Sequence, residues 1–204
     1  RIVTSFDQAQ GISVDRNVGK VKTYGFDANI GYQVIEPVTL YAFASYNNSK
    51  LQQNIEIGRT STAPTGQTNI TIFAPTAGKY VTETPRWSFG GRASVDLGAL
   101  SVGLQGKYVG DRYATDVNDV KSPSYTLFDL NARYSFEELG FKKTFLQLNV
   151  INLFNKYYFG NISTQINHGN VCPTGGYTCA ANGANPNFSV GSPRTIMGTL
   201  QIGF

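Results

Sequence analysis

From Ser124 to Phe136 the chain alternates strictly: Phe128, Leu130, Ala132, Tyr134 and Phe136 share one parity, and Asp129, Asn131, Arg133 and Ser135 the other. Successive side chains of an extended strand point to opposite faces, so a period of two predicts a strand with its charges on one side. The pattern recurs. Trp87, Phe89, Gly91, Ala93, Val95 and Leu97 oppose Ser88, Gly90, Arg92, Ser94 and Asp96; Leu100, Val102, Leu104, Gly106 and Tyr108 oppose Ser101, Gly103, Gln105 and Lys107. Upstream, Tyr24, Phe26, Ala28, Ile30, Tyr32 and Val34 face away from Thr23, Asp27, Asn29 and Gln33. Downstream, Leu146, Leu148 and Val150 oppose Gln147 and Asn149, and Ile196, Gly198, Leu200, Ile202 and Phe204 form the apolar face of a last strand. Between Val38 and Asn48 both parities carry bulky apolar residues, which predicts a strand of undecided outward face. Ile2 to Asp7 reads as the remnant of one more, for about eight strands in all.

The connections alternate in length. Short turns are expected near Ile35 to Pro37, Asp96 to Leu100 and Glu137 to Lys143, and long connections at Gln8 to Gly19, Leu51 to Lys79, Gly110 to Pro123 and Phe159 to Gly191. Tight turns on one side and extended loops on the other are the habit of outer-membrane barrels, and a soluble β-sandwich has no reason to sort its loops in this way. Tyr24, Tyr32, Tyr46, Trp87, Tyr108, Tyr134, Phe136, Tyr157 and Phe204 lie towards strand ends, where a barrel crosses the headgroup layers. The competing reading makes them the core of a soluble sheet.

Composition narrows the field further. Of 204 residues only 15% are charged while 13% are aromatic, and the mean hydropathy is slightly negative. No window approaches the ~18 apolar residues of a membrane helix, whereas alternating barrel strands look mild on any average. The formal charge of +4 comes from basic residues scattered singly apart from Lys142 and Lys143, which argues against nucleic acid. Arg1 opens directly into Ile2 and Val3, so the chain is expected to begin inside something larger or to have been trimmed.

Cys172 and Cys179 lie seven apart in a Gly/Asn-rich stretch. In an oxidising compartment they are expected to close a small disulfide loop rather than to bind metal, for which two thiols and a distant His168 make a poor set. The loop that holds them, Phe159 to Gly191, is aromatic at Phe159, Tyr177 and Phe188 and is the candidate for ligand contact; the plain alternative is a passive surface loop. No cofactor is implied. Nor is catalysis, because the single histidine has no strand-anchored nucleophile beside it.

Near the C-terminal end, Leu148-Asn149-Val150-Ile151-Asn152-Leu153-Phe154-Asn155-Lys156-Tyr157 resembles the N-V-x-N-L-F-D-K-x-Y signature in the penultimate strand of TonB-dependent receptors. Gly191-Ser192-Pro193-Arg194 is similar to the family's G-x-P-R, which opens the final strand and is followed by a terminal Phe, here Phe204. Gly19-Lys20 followed by Tyr24-Gly25-Phe26-Asp27 is similar to a third family pattern, G-K-x-x-x-x-G-x-E. Asn155 stands where the family has Asp, a change that keeps a short turn-forming side chain.

The resemblance implies an all-β, transmembrane antiparallel barrel of about 22 strands. Residues 1–204 would be its last eight or so, with the plug domain, the earlier strands and the segment that engages the TonB complex lying elsewhere. It further implies uptake of a small-molecule nutrient such as a ferric siderophore, haem, cobalamin or glycan, contact with outer-membrane lipid and lipopolysaccharide, and reading of Phe204 by the barrel-assembly machinery. Asp27, Arg92, Asp96, Lys107, Asp129 and Arg133 would face the lumen and its plug. The alternative is a self-contained eight-strand barrel with a structural or adhesive role. On the assigned faces a charge at Leu130 should be costly, and the same charge at Asn131 tolerated.

Overall fold

The computed structural model describes residues 2–7, 12–17, 19–60, 70–169, 171 and 183–203. Its centre is one seven-stranded antiparallel sheet. The strands are β3 (Val21–Ile35), β4 (Val38–Leu51), β7 (Trp87–Asp96), β8 (Leu100–Val109), β11 (Tyr125–Ser135), β12 (Phe145–Ile151) and β15 (Thr195–Gln201). Each pairs with the next of these along the chain, the order an up-and-down barrel wall requires. Strands β3 and β15 are its two edges, so among the described residues the sheet is an open arc.

The remaining strands form two-stranded ribbons: β1 (Ile2–Asp7) with β2 (Ile12–Asn17), β5 (Ile55–Thr60) with β6 (Ile70–Ala74), β9 (Arg112–Tyr113) with β10 (Lys121–Ser122), and β13 (Phe159–Ser163) with β14 (Asn187–Val190). Ile2–Asp7 is a strand, as expected, but it pairs with Ile12–Asn17, inside the stretch expected to be a long connection, and not with the seven-stranded sheet. Among the described residues the other long connections each carry a ribbon of their own.

Register explains why one face is apolar. Tyr32, Leu40, Ala93, Leu104, Leu130, Val150 and Ile196 are paired strand by strand into an unbroken apolar row across all seven strands. One residue further along each strand, Gln33, Thr39, Ser94, Gly103, Asn131, Asn149 and Met197 form the neighbouring row on the opposite face, polar up to its last member. A slip of one residue in any pair would interleave the two faces, so the pattern itself fixes register.

The same pairing settles β4. Leu40 opposite Ala93 puts Leu40, Ala42 and Ala44 on the apolar face and Tyr41, Phe43 and Ser45 on the polar one. Phe43 is tolerated there because its ring lies over Gly90, where an added Cβ would come within 2.9 Å of it.

Among the described residues, the apolar face is left open over most of its area. Ile30 is 66% exposed, and Phe26, Tyr32, Phe89, Leu104, Leu148, Ile196 and Leu200 are exposed as well. A continuous exposed apolar surface of this kind is what hydrocarbon covers. Ten residues of β7 extend for about 30 Å, and at a tilt near 40° rise by about 24 Å, close to the ~25 Å apolar band of an outer-membrane barrel. The Phe26, Tyr46 and Trp87 rings cluster at one end of the band, with Tyr46 and Trp87 centroids 4.7 Å apart; Tyr134 and Phe136 meet edge-on at 4.9 Å at the other.

Candidate functional site: the polar face and the rim of long loops

Asp27, Arg92, Asp96, Lys107, Asp129 and Arg133 share the polar face by register. Two of them meet partners across the sheet. The Arg92 guanidinium crosses above Gly103, where a Cβ would collide with it, and Nη2 donates to Asn131 Oδ1 at 2.7 Å. Arg92, Gln105, Asp129, Asn131, Gln147 and Asn149 line a shallow cleft of about 390 Å³, within which Gln147 Nε2 donates to Asn149 Oδ1 at 3.1 Å. Arg133 stacks on the Phe145 ring at 3.8 Å. Asp96 caps its turn by accepting the Gly98 N–H, and Asp129 Oδ1 accepts the Asn152 N–H at 2.9 Å. Those two carboxylates therefore serve local structure as well as the polar face.

The signature residues come together in one knot. Asn152 is 1% exposed with φ of 53°, a left-handed conformation that Asn adopts far more readily than other side-chain-bearing residues. Its Nδ2 donates to the Lys156 carbonyl at 2.9 Å and the Ser192 carbonyl at 3.0 Å, while Oδ1 accepts the Lys156 N–H at 2.7 Å. Asn155, at φ 51°, donates its N–H to the Asn152 carbonyl and accepts the Arg194 N–H on Oδ1 at 2.9 Å. Leu153 N–H bonds the Phe128 carbonyl, Phe154 packs edge-on against Phe128 at 5.3 Å, and Tyr157 meets Phe159 at 5.7 Å. Gly191 lies under the Tyr158 ring, where any Cβ would clash, and the Pro193 carbonyl accepts the Thr195 hydroxyl. The two motifs, some 40 residues apart, thus fasten the end of β12 to the start of β15. Phe204, Cys172, Cys179 and Tyr177 lie outside the described residues.

The short turns 36–37, 97–99 and 136–144 share one rim; the described parts of the loops 52–86, 110–124 and 152–194 leave the other and interlock. Much of the buried apolar core sits on this loop side, at the end of β4 and beyond it: Leu51, Ile55, Ile72, Ala74, Ala114 and Ile162 are buried, with Ile57, Val81 and Ile166 packed around Leu51 and Ile55. Loop 110–124 is the joint between its neighbours. On one side Asn118, at φ 64°, donates Nδ2 to the Tyr80 carbonyl at 2.9 Å and accepts the Tyr80 N–H at 2.7 Å, and Tyr80 stacks on Tyr113. On the other, Thr115 and Gln165 bridge in parallel, and Asp119 Oδ2 accepts the N–H groups of His168 and Gly169, both at 3.1 Å, while Oδ1 takes the Thr115 hydroxyl at 2.6 Å. Arg112, 8% exposed, donates to the carbonyls of Phe159 at 2.7 Å and Gly160 at 3.3 Å. His168 is exposed and joins this network through its backbone. Phe159 and Phe188 meet at 4.9 Å.

Sequence reasoning missed Arg112, Thr115, Asn118 and Asp119. Only the Asn-Asp dipeptide hinted at a turn, and nothing in the pattern shows that it reaches two other loops.

Burial alone would raise the Asp119 pKa, but the Thr115 hydroxyl and the N–H groups of Gly169 and His168 favour the ionised carboxylate and together hold it below the usual range. A depressed carboxylate stabilises above its unfolded pKa, and that contribution is lost as pH falls through the folded value. The docking of loop 152–194 should therefore loosen below about pH 4. Hydrogen exchange at His168 and Gly169, normalised to intrinsic rates, should rise there and in Asp119→Ala at neutral pH. Unchanged protection in the variant would mean the contact holds nothing.

Comparison with known proteins agrees with this geometry. Residues 1–153 match the family model described as TonB dependent receptor-like, beta-barrel. The chain is 29% identical over 146 residues to the ferrioxamine receptor of Yersinia enterocolitica, covering 69% of this chain and 18% of that protein. Over 62 residues it is 36% identical to the ferrichrome outer membrane transporter/phage receptor of Escherichia coli (strain K12), covering 30% of this chain and 8% of that one. Among solved structures, the siderophore receptor PiuA from Acinetobacter baumannii superposes with a TM-score of 0.56 at 25% identity, over 76% of this chain and 20% of its own. The ferric citrate transporter FecA shares the fold, with a TM-score of 0.63 at 17% identity over 88% of this chain and 24% of its own. The chain thus spans less than a quarter of each of these proteins. With the motifs knotted at the β12–β15 junction, the uninterrupted meander and a family match over three quarters of its length, this chain belongs to the TonB-dependent receptor β-barrel family.

Proposed function

We propose that these 204 residues are the C-terminal arc of an outer-membrane receptor that binds a ferric siderophore at its outer rim and passes it inward with energy from the TonB complex. The observation that carries the reading is the rim: three long loops with a buried core of their own, held above a polar sheet face. Loops meant only to cap strands need no such core, whereas a binding surface must be preorganised. The names of the ferrioxamine receptor and of PiuA support a siderophore over haem, cobalamin or a glycan. Transport by binding, not catalysis, is the role proposed for it.

In this reading the apolar face meets lipid, the polar face lines the lumen, and Arg92 and Lys107 face a plug domain carried on another part of the receptor. The TonB complex would engage that other part, and the assembly machinery would read Phe204. Cys172 and Cys179 would staple loop 152–194. A self-contained small barrel fits less well, because among the described residues β3 and β15 are the open edges of the sheet.

The test is direct binding to the intact receptor in detergent, using ⁵⁵Fe-loaded ferrioxamine, ferrichrome and ferric citrate beside cyanocobalamin and haemin. One of the three iron chelates should bind with Kd of about 1 μM or tighter. Binding of cobalamin or haemin with no iron chelate bound would sink the siderophore reading.

A further inference from the structure

Among the described residues three buried side-chain polar atoms have no hydrogen-bond partner within the protein: Asn48 Oδ1, Arg112 Nε and Ser122 Oγ. Two of the three belong together, since Arg112 and Ser122 are directly opposite one another in the β9–β10 register. Opposed residues of an antiparallel pair share a face and bring their Cβ atoms to roughly 5 Å. Arg112 is 8% exposed and Ser122 is fully buried. Unpartnered groups at this depth are rare, and two that face each other point to a ligand between them.

The other face of the ribbon shows the contrast. There Lys121 Nζ lies over the Tyr113 ring at 4.8 Å and pairs with Asp111 at 2.7 Å. Arg112 has no such carboxylate among the described residues. Its Nη1 and Nη2 donate to the carbonyls of Gly160 and Phe159, and its guanidinium stands 5.8 Å from the centre of the Tyr125 ring, which meets the Tyr158 ring at 4.6 Å. Carbonyl dipoles and ring faces stabilise a cation in part, but they leave its net charge in surroundings that water does not screen. A water molecule bridging Nε and Oγ would leave that charge as it is. An anion accepts from both groups and cancels it. With two donors to offer, the pair suits a monatomic anion better than a phosphate or sulfate, whose several oxygens ask for more.

We propose that Arg112 Nε and Ser122 Oγ bind a chloride ion, the counter-ion of the buried guanidinium. The Nε–H and the Ser122 hydroxyl both donate to it. Because the same guanidinium holds the Phe159 and Gly160 carbonyls, chloride fastens loop 152–194 to loop 110–124, and the rim tightens as the halide concentration rises. The site is independent of which nutrient the receptor carries.

The experiment uses the intact receptor in detergent, with chloride exchanged for gluconate at constant ionic strength. Anion binding to the docked form multiplies protection by one plus the ratio of its concentration to Kd, so for a Kd of about 15 mM hydrogen exchange over 158–163 should slow about tenfold between chloride-free buffer and about 0.15 M chloride. In Ser122→Ala, which removes an unpartnered hydroxyl and should fold normally, the slowing should shrink to about twofold, the result of a Kd some tenfold weaker. Lys121→Gln, on the ribbon's other face, should keep the full response. Crystals of the unaltered receptor grown in bromide should show an anomalous peak between Arg112 and Ser122. A water molecule or no density there would overturn the proposal, as would exchange that ignores chloride or responds equally in Ser122→Ala. A bromide peak without a chloride response in solution would mean binding at crystal concentration only, and would overturn it too.

Discussion

Replacing Asn152 by alanine should destabilise the barrel by about 3 to 5 kcal/mol, the upper end of what single substitutions do. Three effects add. Alanine at φ 53° carries a left-handed penalty of about 1 kcal/mol that Asn largely escapes. The side chain makes three hydrogen bonds from a position only 1% exposed, and its loss leaves the Lys156 N–H and the Lys156 and Ser192 carbonyls without their partner, at about 1 kcal/mol or more each where water cannot replace it. The Ser192 bond also ties β15 to the end of β12, so its loss frees the entry to the last strand. Asn152→Gly separates these terms, because it restores the backbone and still lacks the bonds; it should recover about 1 kcal/mol. Urea-dependent folding into lipid vesicles, followed by heat-modifiable migration, measures all three proteins. If alanine and asparagine proved equally stable, the knot would be incidental to the motif.

What could be read from the sequence follows from where each element's instructions lie. In β11 they are local: alternation from Phe128 to Ser135 states both the strand and its faces, and the register with β8 and β12 agrees residue by residue. In β4 they are not. Tyr41 and Phe43 are as apolar as Leu40 and Ala42, and only the pairing of β4 with β7 decides which set faces out. The missing information is Gly90, a residue on another strand whose lack of a side chain opens room for Phe43.

The ribbon β1–β2 was lost for a related reason. Asp15, Arg16 and Asn17 look like a turn, and their pairing with Ile2, Val3 and Thr4 is a tertiary fact. The rim is the extreme case. Arg112, Asn118 and Asp119 act on carbonyls and N–H groups of other loops, and backbone groups carry no sequence signature. The signature motif could be recognised but not explained from sequence, since its meaning lies in two left-handed asparagines bonded to a segment some 40 residues away.

Leu130→Arg should cost about 2 to 4 kcal/mol, since Leu130 sits midway along β11, in the apolar row between Leu104 and Val150. Alternation alone suggests that the same charge one residue on, at Asn131, is harmless. The structure revises that expectation. Asn131 Oδ1 is the acceptor for Arg92 Nη2 at 2.7 Å, so Asn131→Arg removes the acceptor and sets a second guanidinium beside the first. On a wetted face this costs about 1 kcal/mol, well short of the penalty on the lipid side. Asn131→Asp reverses the sign, because a carboxylate there turns the hydrogen bond into an ion pair and should be neutral or stabilising by up to about 1 kcal/mol. The order of stabilities in vesicle refolding should therefore be aspartate at 131, then the natural sequence, then arginine at 131, then arginine at 130. Equal losses for arginine at both positions would mean that the two faces are wrongly assigned. Equal stability of aspartate and arginine at 131 would mean that Arg92 reaches past Asn131 to solvent and that the polar cleft is not held by this contact.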